Sequence, residues 1–471
     1  MSERIEVDDS GRIVLRVNWK AFLKVLILLG LAVGGYYLPL PGLDEGSRRC
    51  LAIFIGAGGL WVTEVIPPYA TAIMVVVLSV YTLGFPGGPL GLEPEGVDSS
   101  YRIFLNPIAS PVLVLFFGGF VMAVAAAKHG FDVRLAKAFL KPFGTRPSMV
   151  LLGVILITAL FSMFMSNTAC TAMMIAILGP LFAHFEGRDP FKKALVLAVP
   201  FAANIGGIGT VIGTPPNAVA ASVLGQMGHP VSFFAWMLIG VPVVVIMIFV
   251  LWVLMVRVFK PRKDKLEVLF PERTELTWDL VVVVVTFVVT ILLWLTEPLH
   301  GIASAIVALL PIMIFSALGI INREDLRSIE WHVLFLIAGG MALGVAMKQS
   351  GLSDVFVHLI ASAGLSPLLL MIAMIILSVA LSNFMSHTSA ANLLIPIVTS
   401  LSVLSPTVGA IGVAFACSFA MSLPISTPPN AIAFATRVVE TRDLARYGSL
   451  VSVFGLALLT VIVLILQQVL P

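Results

Sequence analysis

Two stretches of this chain, residues 147–185 and 355–436, run without a single Asp, Glu, Lys or Arg. In the middle of each stands a polar island: Ser166-Asn167-Thr168 in FMSNTACTAMM, and Ser386-His387-Thr388 in FMSHTSAANLL. Uncharged runs of this kind belong in a bilayer, where three hydrogen-bonding side chains in a row are costly unless they face protein, water or a ligand. The islands share their flanks, since Phe164-Met165 returns as Phe384-Met385. They read as two halves of one binding site.

Composition agrees with that setting. The 471 residues are 59% hydrophobic and 11% charged, against roughly 25% charged in a soluble domain. The expected fold class is an all-α polytopic membrane protein of roughly ten to twelve spans, at about 20 helical residues for each crossing of the hydrocarbon core. Lipid is then a partner along the whole length. The net charge of +3 sits on loop lysines and arginines and points to no nucleic acid. Cys50, Cys170 and Cys417 lie in or beside apolar stretches without metal-ligand spacing and read as packing residues. A charged arm precedes the first apolar segment and no small-residue cleavage pattern follows it, which argues against a removable signal peptide.

In chain order, residues 1–19 form a soluble arm, and Ala21 to Leu40 a first span flanked by Arg16 and Lys20. That flank favours a cytoplasmic N-terminus in the inner membrane, with Arg48 and Arg49 in the next loop counting against it. Residues 20–256 make a first half. It holds scaffold spans, a hairpin near 107–128 around Gly118-Gly119, a basic amphipathic segment from Arg134 to Arg146, and a broken helix at Ser166–Thr168. The glycine pair also fits a straight span with a close helix contact. Residues 257–276 form a charged cytoplasmic loop. Residues 277–471 make the second half, with a hairpin near 329–348, a broken helix at Ser386–Thr388 and a last span at 446–469.

The second half replays the landmarks of the first. Trp61-Val62-Thr63-Glu64 returns as Trp294-Leu295-Thr296-Glu297, and Thr71-Ala72 as Ser304-Ala305, both displaced by 233 positions (294 − 61 and 304 − 71). Gly118-Gly119 returns as Gly339-Gly340, Ser166 and Thr168 as Ser386 and Thr388, and Thr214-Pro215-Pro216-Asn217 as Thr427-Pro428-Pro429-Asn430. Such a duplication, with interrupted apolar segments in matching places, is the sequence pointer to a secondary transporter. The repeat pattern alone leaves open whether the halves are inverted in the membrane.

The W-x-T-E-x-I-P run at Trp61 to Pro67, a Ser-Asn-Thr-type cluster in each half, and a (G/S)-T-P-P-N loop after each resemble the divalent anion/sodium symporter family, in its dicarboxylate branch. The likeness covers the chain from about residue 20 to its end. It implies an elevator-type homodimer with an inverted repeat, and about eleven spans with two re-entrant hairpins per protomer. It also implies a small dicarboxylate as substrate and Na⁺ as coupling ion. One sodium site would map onto Ser162, Ser166, Asn167 and Gly213. Its twin would map onto Ser382, Met385, His387 and Ser426, while Thr427 and Pro428 would line the substrate.

The residues carry an anion-site argument of their own. No Arg or Lys lies near either island, so donors to an anion must be hydroxyls, amides and half-helix N-termini. Ser166, Asn167, Thr168 and Thr214 are the candidates in one half, and Ser386, His387, Thr388 and Thr427 in the other. Asn oxygens and unwound carbonyls are hard ligands that suit Na⁺. His387 departs from the family pattern, because an imidazole serves Na⁺ poorly. The second sodium site is therefore expected to be weak or absent, or His387 acts on the substrate, or it is a satisfied neutral histidine. The expected function is transport of C4 or C5 dicarboxylates (succinate, malate, fumarate, 2-oxoglutarate), by Na⁺ symport or by Na⁺-independent exchange. Sulfate transport, a channel and an intramembrane hydrolase on Ser386-His387 are weaker alternatives. Adjacent helical side chains point about 100° apart, which disfavours the hydrolase.

Overall fold

The computed structural model describes residues 4–7, 13–16, 19–85, 101–182, 185, 189–262, 264–266, 276–362, 366–401 and 405–469. The acidic connection over 86–100 and the stretch 267–275 of the charged loop lie outside them. Proline and a capping hydroxyl start most helices. Pro68, Pro111, Pro147, Pro190, Pro215, Pro367, Pro406 and Pro428 each open one, at the position where a missing N–H is harmless. Ser110, Ser232, Thr277 and Ser366 each accept from the amide three residues on.

The body is all-α, as the composition requires. Among the described residues, six helices are long and apolar enough to cross a bilayer: Trp19–Tyr36, Arg102–Lys128, Phe233–Val258, Trp278–Leu295, Trp331–Gln349 and Thr441–Gln468. One small addition lies in the arm, where Arg4–Val7 pairs antiparallel with Ile13–Arg16. Arg4-Ile5-Glu6-Val7 alternates polar and apolar residues as a strand does.

After Trp19–Tyr36 the helices come in two matching sets. Each set has a long helix ending in a Trp-Thr-Glu corner, a helix after the corner, a glycine-pair helix, and a short helix. Each then has two helices joined at the polar island, two more joined at the Thr-Pro-Pro-Asn loop, and a closing long helix. The corners are built alike: buried Trp61 donates from Nε1 to Pro68 O and buried Trp294 to Ser304 O, both at 3.0 Å.

The sets interlock rather than stand side by side. Pro68–Thr82 packs along Trp331–Gln349 of the other set, and Pro111–Lys128 along Ser304–Val307 and Leu309–Ala317. The glycine pairs explain how. A Cβ on Gly118 would come within 2.5 Å of Ala308 O, and one on Gly339 within 2.5 Å of Ala72 Cα. These backbones touch, and only glycine permits it. The expected hairpins at 107–128 and 329–348 are thereby corrected: Pro111–Lys128 and Trp331–Gln349 run unbroken through their glycines.

The hairpins lie at the polar islands instead. Pro147–Ser162 and Asn167–Phe182 have 16 residues each and meet at the first island. Cys170 Sγ donates to Thr158 O at 3.2 Å, whereas one straight helix would put those residues about 18 Å apart. The chain therefore turns back at 163–166, and Pro367–Ser382 packs on His387–Ser400 in the matching way.

Replacing Gly339 by Val should strain the crossing at Ala72 by about 1–3 kcal/mol or more, while Gly30→Val, with open space around it, should be neutral. A thermal unfolding series in detergent, giving a midpoint several degrees lower for the first only, checks this.

Candidate functional site

Each polar island is the tip of a hairpin and the start of its second helix. Ser166 Oγ accepts from Ala169 N at 3.2 Å, and Ser386 Oγ from Ser389 N at 3.2 Å, so both serines cap. Thr168 and Thr388 stand in the first turn, half-buried and buried. No other described residue hydrogen-bonds to either hydroxyl. Two helix N-termini, each with a capping serine and a threonine, thus present donors at the ends of apolar hairpins, which favours negative charge there.

The Thr-Pro-Pro-Asn loops bring each half's second broken element to the other half. Pro428–Ala435 packs on Asn167–Phe182 and Pro190–Gly207, and Pro215–Gln226 packs on His387–Ser400 and Pro406–Ser418. Buried Thr427 accepts from Asn430 N at 3.2 Å and from Asn204 Nδ2 at 3.3 Å. That second bond joins the two halves. Asn204 Oδ1 is buried and has no partner, so an acceptor is aimed into the joint. Asn204 was absent from the sequence candidates, and its signal was slight: the only Asn in the apolar stretch before the first Thr-Pro-Pro-Asn loop. Thr214 is buried without a side-chain cap bond, and Pro428 is exposed at its helix start.

The asparagines of these loops brace the unwound backbone. Asn217 Nδ2 donates to Gly207 O at 2.9 Å and Thr210 O at 2.8 Å; Asn430 Nδ2 donates to Met421 O at 2.9 Å and Leu423 O at 3.0 Å. A carbonyl freed from a helix must find a donor inside the membrane, and these amides supply it.

Around the first tip, oxygens converge. One terminal atom of the Asn167 amide lies 2.5 Å from Ser162 Oγ, 3.3 Å from Ala203 O and 3.1 Å from Gly213 O. Turned one way the amide donates to them as nitrogen; turned the other, its oxygen joins three more in a set that suits a hard cation. Ser162 Oγ also donates to Ala203 O at 2.8 Å. Gly207 and Gly213 keep the space open, since a Cβ on Gly213 would collide with Gly207 O.

The second tip differs at one residue. His387 Nε2 donates to Ala420 O at 2.7 Å, so Nε2 carries hydrogen, as a carbonyl only accepts. By the displacement that relates Thr214 to Thr427 (427 − 214 = 213), Ala420 corresponds to Gly207 in the first half (420 − 213 = 207). Gly207 lies against the Asn167 amide, where a Cβ would come 2.8 Å from Oδ1, so the His387 ring N–H occupies the matching place at the second tip with a donor. Ser382 and Met385 are buried beside it, and Ser426 Oγ turns to Leu423 O at 2.7 Å. Ser386 Oγ pairs with Ser389 Oγ at 2.7 Å, not with the imidazole, so the two form no nucleophile–base pair.

The charged groups that touch the tips are carboxylates. Ser166 Oγ donates to Glu330 Oε1 at 2.8 Å, and Ser386 N to Glu64 Oε1 at 3.1 Å. Each comes from the opposite half. Among the described residues no hydrogen bond joins the two tips directly.

Asn217→Leu and Asn430→Leu should each orphan two carbonyls, at about 1–3 kcal/mol per group. Thermal unfolding midpoints well below that of the parent protein are the expected result.

The citrate transporter family model matches residues 59–409 and 291–471. A sodium-dependent dicarboxylate transporter of Staphylococcus aureus (strain NCTC 8325 / PS 47) is 31% identical, over 89% of this chain and 85% of its own. A transporter of the same description from Staphylococcus saprophyticus is 29% identical, over 90% and 86%. Among solved structures, the Alcanivorax borkumensis YdaH transporter superposes with a TM-score of 0.61 at 13% identity, over 85% of this chain and 98% of its own. Neisseria gonorrhoeae MtrF, from a class of antimetabolite efflux pumps, gives 0.55 at 14% identity, over 87% and 97%. These two likenesses concern the fold alone.

Proposed function

The chain belongs to the citrate transporter family, in the dicarboxylate branch of the divalent anion/sodium symporters, and from that premise we propose a secondary active carrier of C4 or C5 dicarboxylates, coupled to Na⁺. It is a multi-pass membrane protein and not an enzyme. The observation that carries the reading is the pair of hairpin tips, each with a capping serine, an available threonine and a helix N-terminus, in a site whose halves are joined at Asn204 and Thr427. Two such tips suit two carboxylates, one at each end of a short acid.

Na⁺ fits the first tip and not the second. Ser162, Asn167 and the carbonyls of Ala203 and Gly213 would hold it there, and the ion would offset part of the substrate's charge. At the second tip the His387 ring N–H, bonded to Ala420 O, puts a donor where the first tip has the Asn167 amide, so coupling through that site is weak. The same bond favours a second reading, a Na⁺-independent exchanger in which His387 stands where a sodium ligand would be.

The topology follows from crossings. In the first half, Glu45–Thr63, Pro68–Thr82, Pro111–Lys128, the pair over 190–226 and Phe233–Val258 make five, while the hairpin enters and leaves by one face. Five is odd, so the second half starts on the opposite face and is inverted. With Trp19–Tyr36 the total is eleven. Lys128, Arg134, Lys137, Lys141, Arg146, Arg257, Lys260, Arg437, Arg442 and Arg446 then share one face, against Arg48, Arg49, Arg102 and Lys348 on the other. The first face is cytoplasmic and carries the N-terminus, in the inner membrane. The hairpins with their Thr-Pro-Pro-Asn elements form a core that moves between faces as an elevator, in a homodimer, against the corner and glycine-pair helices.

Labelled succinate and 2-oxoglutarate uptake into proteoliposomes tests the reading. We expect uptake into empty vesicles driven by an inward Na⁺ gradient. Uptake only into substrate-loaded vesicles, indifferent to Na⁺, would instead establish the exchanger. Thr168→Val and Thr388→Val keep shape and remove a hydroxyl, and each should weaken substrate binding tenfold or more without lowering the unfolding midpoint; unchanged affinity in both would refute the site. His387→Asn should steepen the dependence of uptake on Na⁺, measured as initial rate against Na⁺ concentration.

A further inference from the structure

The Trp-Thr-Glu corner occurs twice, and its two glutamates are in different positions. Glu64 reaches across to the second hairpin tip, accepting from Ser386 N at 3.1 Å. Glu297 turns back within its own half and accepts from Ser304 Oγ. The residue matching Ser304 in the first half is Thr71, by the same displacement of 233 positions that relates the glutamates (304 − 71 and 297 − 64). Thr71 Oγ1 is fully buried and has no hydrogen-bond partner. A buried orphan hydroxyl is uncommon, and here its absent partner is identifiable. The bond that would match Ser304–Glu297 is unmade here, and Glu64 bonds the hairpin.

The backbone records the same difference. Glu64 lies in the left-handed region at φ 45°, whereas Glu297 opens a short helical turn. Left-handed backbone is unfavourable for a glutamate, and it persists only where surroundings hold it. The rest of the corner is unchanged: Thr63 and Thr296 each bond the carbonyl four residues back.

What stands opposite each corner also differs. Glu64 faces a hairpin tip, while Glu297 lines a cavity of about 1160 Å³ together with Ser110, Ser222, Gln226 and Lys348. Under the inverted topology that cavity opens on the face away from the cytoplasm. The first hairpin tip, the two-fold counterpart of what Glu64 holds, is at the other side on Glu330.

We infer that Glu64 and Glu297 are alternate docking carboxylates, each moving between a parking hydroxyl in its own half and a hairpin tip of the other. With the core at the cytoplasmic face, Glu64 holds Ser386 and Glu297 is parked on Ser304. With the core moved into the cavity, Glu64 returns to Thr71 and Glu297 takes the Ser166 amide. Each crossing exchanges one carboxylate–amide bond for another of the same kind, so neither end state loses its partner. This rests on the alternating-access reading above.

The parking hydroxyls give the test, because they touch neither tip. Thr71→Val denies Glu64 its parking place and should hold the core at the cytoplasmic face. Ser304→Ala frees Glu297 and should favour the opposite state. Lys348→Cys, on a cavity wall, reports the state by its labelling rate with a membrane-impermeant maleimide applied from the non-cytoplasmic face. Thr71→Val should raise that rate and Ser304→Ala lower it, each severalfold. A disulfide between Ser166→Cys and Glu297→Cys should form in membranes under oxidising conditions. Labelling shifts in the same direction, no shifts, or no disulfide would overturn the inference. Thr71→Val removes an unpaired hydroxyl and should fold normally, so its null result counts. Parent protein that fails to take up dicarboxylate would refute the substrate assignment alone, and opposite labelling shifts would still support the exchange of glutamates.

Discussion

Everything in this molecule depends on how unwound backbone is satisfied inside a membrane. A helix that stops in hydrocarbon leaves amides and carbonyls that water cannot reach. Here the carbonyl side is taken by Asn217 and Asn430, each donating to two freed carbonyls. The amide side is capped by Ser166, Ser386 and Thr427. What remains over is a small surplus of donors and oxygens, and the proposed function rests on that surplus. Charged side chains are unnecessary because helix ends supply partial charges already fixed in place.

The surplus is held in position by close crossing of helices. Gly118 lies on Ala308 and Gly339 on Ala72, so the glycine-pair helix of each half is keyed to the corner region of the other. The same exchange recurs nearer the site, where Pro215–Gln226 and Pro428–Ala435 each pack on the hairpin of the opposite half. Duplication followed by interlocking gives two sites of common origin in one protein. The copies differ at one residue: Asn167 stands among oxygens, and His387 fills the equivalent place with a donor.

The sequence was most readable where chemistry constrains it hardest. An uncharged run with a polar island pointed to the hairpin tips, and repeated Thr-Pro-Pro-Asn loops pointed to the breaks beside them. The type of interruption was misread. Gly118-Gly119 and Ser166-Asn167-Thr168 both interrupt apolar segments, but a glycine pair inside a helix serves close contact as readily as a turn, and only tertiary packing decides. Length did not separate them either, since the hairpin arms have 16 residues and Pro68–Thr82 has 15; the Cys170–Thr158 contact does. Asn204 and Glu330 were harder. Each acts on a residue far away in the chain, Thr427 and Ser166, and nothing local to either reports its partner. The corner glutamates were visible as a pair, but their differing partners were not, because one sequence motif supports both positions.

The interlocked halves also bear on how such a chain is made. Pro215–Gln226 finds its packing surface on His387–Ser400 and Pro406–Ser418, which leave the ribosome long after it. Until then the first half has a half-helix end in the membrane with no lasting neighbour, and its hairpin lacks Pro428–Ala435. Contacts across so many residues close late, and a domain-by-domain order of assembly is unavailable to them. The newly inserted first half is therefore a species that the insertion machinery must shelter, and its vulnerability is the reverse side of the symmetry that completes the finished site.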